Sequence, residues 1–138
     1  MRSEILATAM IFVGGGTGTL GRYAVAVALR SVGLPSPGGF PLGTLFVNIV
    51  GSLAIGILAQ AIINGWSISE QLRITLLIGV LGGFTTFSSF GLEAVQMWSD
   101  GLHWRAIAYV LASNIFGLAA AGLGIMLAGT GPLPEVSP

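Results

Sequence analysis

The sequence predicts an all-α integral membrane protein of four transmembrane helices, and three observations carry that expectation. Hydrophobic residues make up 54% of the 138 and charged residues only 7%. An ordinary soluble domain carries about 25% charged residues, so a water-facing surface cannot be built from this chain. Turn residues and charges cut the chain into four apolar stretches, each near the ~20 residues that a helix needs to cross a bilayer. Finally, the stretches are continuously apolar rather than alternating over ten residues, which suits helices and not a barrel, because lipid leaves no partner for unpaired backbone.

The first expected span is 5–29, interrupted by Arg22. Arg2 before an apolar run has the look of a secretory leader. Small residues suited to cleavage come only at Ala24–Ala26, too far along, so the stretch is expected to remain as a span. A loop rich in Gly and Pro, 31–41, follows. The second span, 42–63, has no charge. Residues 64–71 form a polar connector in which Ser67, Ser69 and Glu70 resemble a helix start. The third span, 72–98, carries Gly82–Gly83 inside it, a short turn spans 99–104, and the fourth span is 105–128. The remaining residues, 129–138, form a Pro-bearing tail. Trp66, Trp98 and Trp104 fall at span ends, as an interfacial aromatic belt requires. The four spans make one transmembrane domain, 1–138.

The charge inventory excludes much. Five Arg against five Asp and Glu give no net charge, which removes a basic nucleic-acid footprint. The absence of Cys removes disulfides, thiolate metal sites and Cys nucleophiles, and His103 alone cannot build a His cluster. Across four crossings, Arg2 and Arg73 fall on one side and Arg30 and Arg105 on the other. The positive-inside rule then gives almost no orientation. Two readings stay open: a weak bias from few charges, or insertion both ways with antiparallel pairing.

Gly16-Thr17-Gly18-Thr19-Leu20-Gly21 matches a dinucleotide fingerprint, but the next acidic residue is Glu70 and no βαβ unit surrounds it. Gly14, Gly18 and Gly21 instead suit close helix approach in lipid. Arg22 within a span must snorkel to an interface or face a water-filled vestibule that attracts anions. Asn48, with Thr44 one turn earlier and Gly51 three residues later on its face, is either interhelical glue or an amide donor offered to an anion.

The densest signal is Gly82-Gly83-Phe84-Thr85-Thr86-Phe87-Ser88-Ser89-Phe90. Two glycines followed by two threonines at mid-membrane invite a helix break, and broken backbone at that depth must line a cavity or meet a ligand. Phe87 and Phe90 share a face, and the electropositive edges of their rings could touch an anion without a formal charge. Glu93 continues that face and is expected near the interface because Trp98 is close. In the fourth span Tyr109 and Ser113 share a face, with Asn114 adjacent and Gly117 one turn on.

In order along the chain, Gly15, Gly18 and Arg22-Tyr23, then Gly43-Thr44-Leu45 with Asn48 and Gly51, then Gly82-Gly83 with Thr85-Thr86-Phe87-Ser88 and Phe90, resemble the small bacterial fluoride channels of the Fluc (CrcB) family, over roughly residues 14–117. The resemblance implies an antiparallel, dual-topology homodimer in the cell inner membrane, passing fluoride passively out of the cytoplasm through two pores, without catalysis. It also implies a structural sodium ion at the dimer interface, held by the backbone carbonyls of Gly82 and Thr85. Phe87 and Phe90 would be the pore phenylalanines, Asn48 the pore amide and Arg22 the vestibule cation. Thr44, Tyr109 and Ser113 would belong to a polar track, with Thr86, Ser88 and Glu93 supporting. Two residues depart from the family pattern: Ser89 stands for the usual Thr and keeps the hydroxyl, and Gly117 stands where many members carry Ser. Two other readings differ in class. A small proton-coupled multidrug exporter would need a membrane-embedded carboxylate, and an assembly subunit would use its glycine-rich spans only as glue.

Overall fold

A computed structural model describes residues 2–31 and 40–129, the side chains of residues 2 and 3 excepted. Most of the expected loop 31–41 and tail 129–138 lie outside the described residues, as does the side chain of Arg2. The described residues are helical, with no strand. In chain order they form α1 (Arg2–Ser31), α2 (Leu42–Ile63), α3 (Glu70–Ile74), a π-helical segment (Thr75–Leu81), α4 (Gly82–Phe84), α5 (Phe87–Ser99) and α6 (His103–Leu127).

Among the described residues three helices are long and apolar enough to cross a membrane: Leu42–Ile63, the broken rod Glu70–Ser99, and His103–Leu127. They correspond to the second, third and fourth expected spans, each within two residues at either end. At 30 residues, α1 has the length to cross. Its run of Gly, Thr and Arg between Gly14 and Arg22 dilutes its apolar character, and it is not among the three. The chain is a multi-pass membrane protein, and its outer surface fits that solvent. Phe12 is 81% exposed, Leu118 75% and Met126 73%, which lipid tolerates and water does not.

Glycines set how closely the helices pack. α2 runs along α6, and a Cβ at Gly56 would fall on Ala121 O, just as one at Gly124 would fall on Leu53 O. In lipid, where apolar burial gives no drive, such backbone proximity supplies the packing attraction. α1 lies against the π-helical segment and α4. There Gly14 meets Thr75 and Gly18 meets Val80 O, while Gly21 makes only ordinary contact with the Phe84 ring. The glycine motif of α1 thus serves packing, and two of its three named glycines are tight.

Turn chemistry fixes the ends. Ser69 caps α3 by accepting the Leu72 N–H at 3.2 Å, as the serine cluster predicts. Gly101, at φ +76°, takes the left-handed conformation that turns α5 into α6. Across that turn the Trp98 and His103 rings meet at 4.5 Å, tilted by 52°. Asn64 closes the other end of α6, its Nδ2 donating to Ala128 O at 2.9 Å and Gly129 O at 3.0 Å. Carbonyls that a helix terminus leaves unpaired are satisfied in this way.

The break in the third rod differs in detail from the expectation. The glycines do not break it: α4 continues through Gly82 and Gly83. Their service is close approach, since a Cβ at Gly83 would sit 2.5 Å from Gly15 O. The helix ends at Thr85 (φ −85°, ψ 162°) and Thr86 (φ −153°, ψ 115°). Two β-branched residues favour extended backbone.

Candidate functional site

Two extended residues at the centre of an apolar rod strand backbone groups that must be paired. The Thr86 N–H, which an unbroken helix would give to Gly82 O, donates instead to Asn48 Oδ1 at 2.8 Å. Asn48 Nδ2 donates back to Thr86 O at 3.1 Å. One amide from α2 therefore satisfies both backbone groups of Thr86, a residue only 8% exposed. Of the two readings the sequence left open, interhelical glue describes these bonds: Asn48 is a clamp on the break, and one N–H of its NH₂ remains. Thr44, one turn earlier, points to a different partner.

The Thr86 side chain restarts the helix. Its Oγ1 accepts the Ser89 N–H at 3.2 Å and donates to Ser89 Oγ at 3.0 Å, with Ser88 Oγ at 3.4 Å. An N-cap oxygen of this kind stabilises a helix by about 1 kcal/mol. Ser89, where the Fluc pattern has Thr, keeps the hydroxyl that this cap uses. Thr85 Oγ1 turns back to Leu81 O at 2.9 Å, so the Thr85 side chain closes the end of α4.

From this restart the aromatic residues project in order. Phe87, the first residue of α5, is 82% exposed. Its ring lies 5.5 Å from Phe90, and Phe90 lies 5.3 Å from the fully buried Tyr109 on α6. Phe40, just before α2, meets the same Tyr109 edge-on at 5.4 Å. The four rings form a continuous column. Nothing in the sequence around Phe40 signalled its place there.

Glu93 lies between the break and the end of the rod, in a cleft it shares with Arg30, Pro41 and Leu42. It stands in the middle of α5 and is the acceptor on which three helices converge. Thr44 Oγ1 donates to its Oε1 at 2.8 Å and Tyr109 Oη to its Oε2 at 2.7 Å. A carboxylate with both oxygens occupied in this way is charge-assisted and geometrically fixed. Ser113 Oγ is buried without a partner, a polar atom left open on the α6 face below Tyr109. Asn114 bonds back to Val110 O at 2.7 Å and stands apart from the rest.

Two clefts flank the clamp, and Thr86 lines both. One, of about 310 Å³, is lined by Asn48, Ser52, Gly82, Thr85, Thr86 and Phe87. Of the carbonyls around it, Gly82 O has lost its helical donor to Asn48. The other, of about 340 Å³, is lined by Thr19, Arg22, Thr44, Thr86, Ser89 and Glu93 among others. Arg22 therefore sits in a cleft shared with hydroxyls and with Glu93. Among the described residues no cluster of three acidic or His side chains exists, so any cation held here would be held by neutral oxygens.

Residues 9–125 match the family described as "CrcB-like protein, Camphor Resistance (CrcB)". A protein of Agrobacterium fabrum named "Fluoride-specific ion channel FluC" is 44% identical over 119 residues, covering 86% of this chain and 93% of its own length. Proteins of the same name from Chelativorans sp. and Saccharophagus degradans are 41% identical over 120 residues and 36% over 133. The first of these alignments covers 86% of this chain and 93% of the relative, the second 92% and 96%.

Proposed function

The chain belongs to the CrcB family, and from that premise we propose that it is a fluoride-selective channel of the plasma membrane, letting fluoride leave the cytoplasm passively. The relatives named fluoride-specific channels support the ion. The observation that carries the reading for this chain is the Asn48–Thr86 clamp, because it holds a break in mid-membrane and sets Phe87 at the first position beyond it. No catalysis is part of this reading.

Fluoride is small and strongly hydrated, so a path must replace its water with closely spaced donors while still letting it go. The remaining Asn48 N–H, the ring edges of Phe87 and Phe90, the Thr44 and Tyr109 hydroxyls and the open Ser113 hydroxyl supply such donors, and Arg22 draws anions toward them. In this reading Glu93 holds Thr44 and Tyr109 in register, with Thr86 and Ser88 supporting the restart of α5. Tyr109 and Thr44 donate their hydrogen bonds to Glu93 at rest, so each reaches an ion only by exchanging that bond.

The working unit in this proposal is an antiparallel homodimer of four-span protomers, with α1 as the first span and two pores per dimer. Phe87, exposed on one protomer, would face the partner. Sodium at the two-fold axis fits the residues present. Gly82 O lacks a helical donor, Thr85 is extended, and neutral carbonyls suit a hard monovalent cation where no carboxylate cluster exists. Gly82 and Thr85 of each protomer would hold it, and its charge would pin the dimer. Glu93 is the feature that favours a proton-coupled exporter, but Thr44 and Tyr109 already hold both its oxygens in hydrogen bonds, which a proton carrier would have to exchange at every cycle. Fluoride-electrode efflux from liposomes holding the purified chain alone tests the proposal. Efflux of fluoride supports it, and proton-coupled dye uptake with no fluoride efflux would replace it with the exporter.

A further inference from the structure

Arg30 entered the sequence reading only as a topological charge. In the fold it lines a third cleft of about 220 Å³, with Ala26, Leu29, Pro41, Leu42, Gly43, Thr44 and Glu93. The vestibule of Arg22 is lined by four of the same residues: Ala26, Gly43, Thr44 and Glu93. The two clefts are therefore successive parts of one groove between α1 and the start of α2, and they meet at Thr44 and Glu93. Arg22 and Arg30 stand eight residues apart on α1, about 12 Å at 1.5 Å per residue. Ala26, midway, belongs to both clefts. Glu93 is the acidic side chain of the groove, and both its oxygens already accept hydrogen bonds. Neither arginine makes an ion pair among the described residues.

We propose that Arg30 is the outer cation of an anion-recruiting groove in which Arg22 is the inner one, the pair delivering a small hydrated anion to the Thr44–Glu93 junction. With two arginines against one glutamate the groove carries a net positive charge. Without Arg30 it is neutral, and an approaching anion loses the net attraction at the outer mouth, where Glu93 remains and Arg22 lies further in. Grooves with low-dielectric walls focus such fields and raise local ion concentration. A unit charge ~5 Å from an anion in water-like surroundings changes its local population about fourfold. The inference rests on the fluoride-channel reading and adds to it a residue and a subsite.

The test is initial fluoride efflux from liposomes at two ionic strengths, set with the salt of a bulky organic anion. Arg30→Gln should lower the rate about fourfold at 0.01 M, where screening extends over ~30 Å, and by little at 1 M, where it extends over ~3 Å. Arg30→Lys should restore the parent rate. Arg105→Gln, a cation outside the groove, should leave it unchanged. An Arg30→Gln rate equal to the parent at 0.01 M would overturn the proposal. So would a loss of the same size at both ionic strengths, or an equal loss in Arg105→Gln. A parent protein that passes no fluoride would refute the channel reading and this inference with it, whereas a conducting parent with an unaffected Arg30→Gln refutes this inference alone.

Discussion

Asn48→Asp separates the two duties of the clamp residue. The carboxylate keeps an acceptor for the Thr86 N–H, now at 2.8 Å, but loses the donor to Thr86 O, now at 3.1 Å. A buried carbonyl left without a donor costs on the order of 1–3 kcal/mol. That is tolerable in a helix bundle, so the variant should fold and keep its oligomeric state on size exclusion, with a lowered melting temperature. Conduction should fare worse. An anion passing ~5 Å from a fixed carboxylate at an effective dielectric near 20 pays about 3 kcal/mol, a few hundredfold in occupancy. Fluoride efflux should therefore fall by two orders of magnitude or more. Asn48→Ala provides the contrast: it strands both the N–H and the C=O of Thr86, costs about 2–6 kcal/mol, and should lose stability more than Asn48→Asp does. An Asn48→Asp protein that is folded, of parental size and conducting at the parent rate would refute the pore role and leave Asn48 as glue.

Gly83→Val should destabilise the chain far more than Thr85→Ser. The new Cβ meets Gly15 O at 2.5 Å, whereas Ser keeps the hydroxyl that bonds Leu81 O at 2.9 Å. Paired thermal melts and efflux rates check the order, and equal losses would contradict it. Added Lys beside Arg2 should bias insertion one way and reduce activity, and an oppositely biased partner with Lys near Arg30 should restore it. Full activity from a uniformly oriented population would count against antiparallel pairing. Exhaustive exchange of sodium for a bulky organic cation should weaken the dimer or slow efflux. No effect on either would remove the ion from the account.

The spans were legible because lipid imposes one strict demand, about twenty apolar residues with all backbone paired internally, and the composition answers it almost without exception. Only α1 blurs the signal, since Gly14 and Gly18 serve packing and Arg22 adds a charge, at the expense of apolarity. The break was legible as a region and not as a position. Gly82–Gly83 drew attention as breakers, yet their work is approach to α1, and the extended residues are Thr85 and Thr86. Propensity could not decide this, because it depends on Gly15 lying opposite Gly83 and on Asn48 being at hand to pair the freed groups of Thr86. Asn48 itself could be read as donor or glue from sequence, and its bond geometry makes it a clamp with one N–H to spare. The partners of Glu93 were hidden for a similar reason: Thr44 and Tyr109 are 49 and 16 residues away, and only the assembled helices bring them to it. The π-helical segment 75–81 and the ring of Phe40 left no mark in local sequence. Both are set by packing against Gly14, Gly18 and Tyr109, which only the assembled helices bring near.

The most direct measurement compares fluoride and chloride efflux, by ion-selective electrode, from the same liposomes holding only this protein. Donors without a deep cationic trap, on a path narrow enough to strip a small ion, predict rapid fluoride efflux with chloride near the rate of empty vesicles. Equal efflux of the two ions, or fluoride retained as in empty vesicles, would contradict the account.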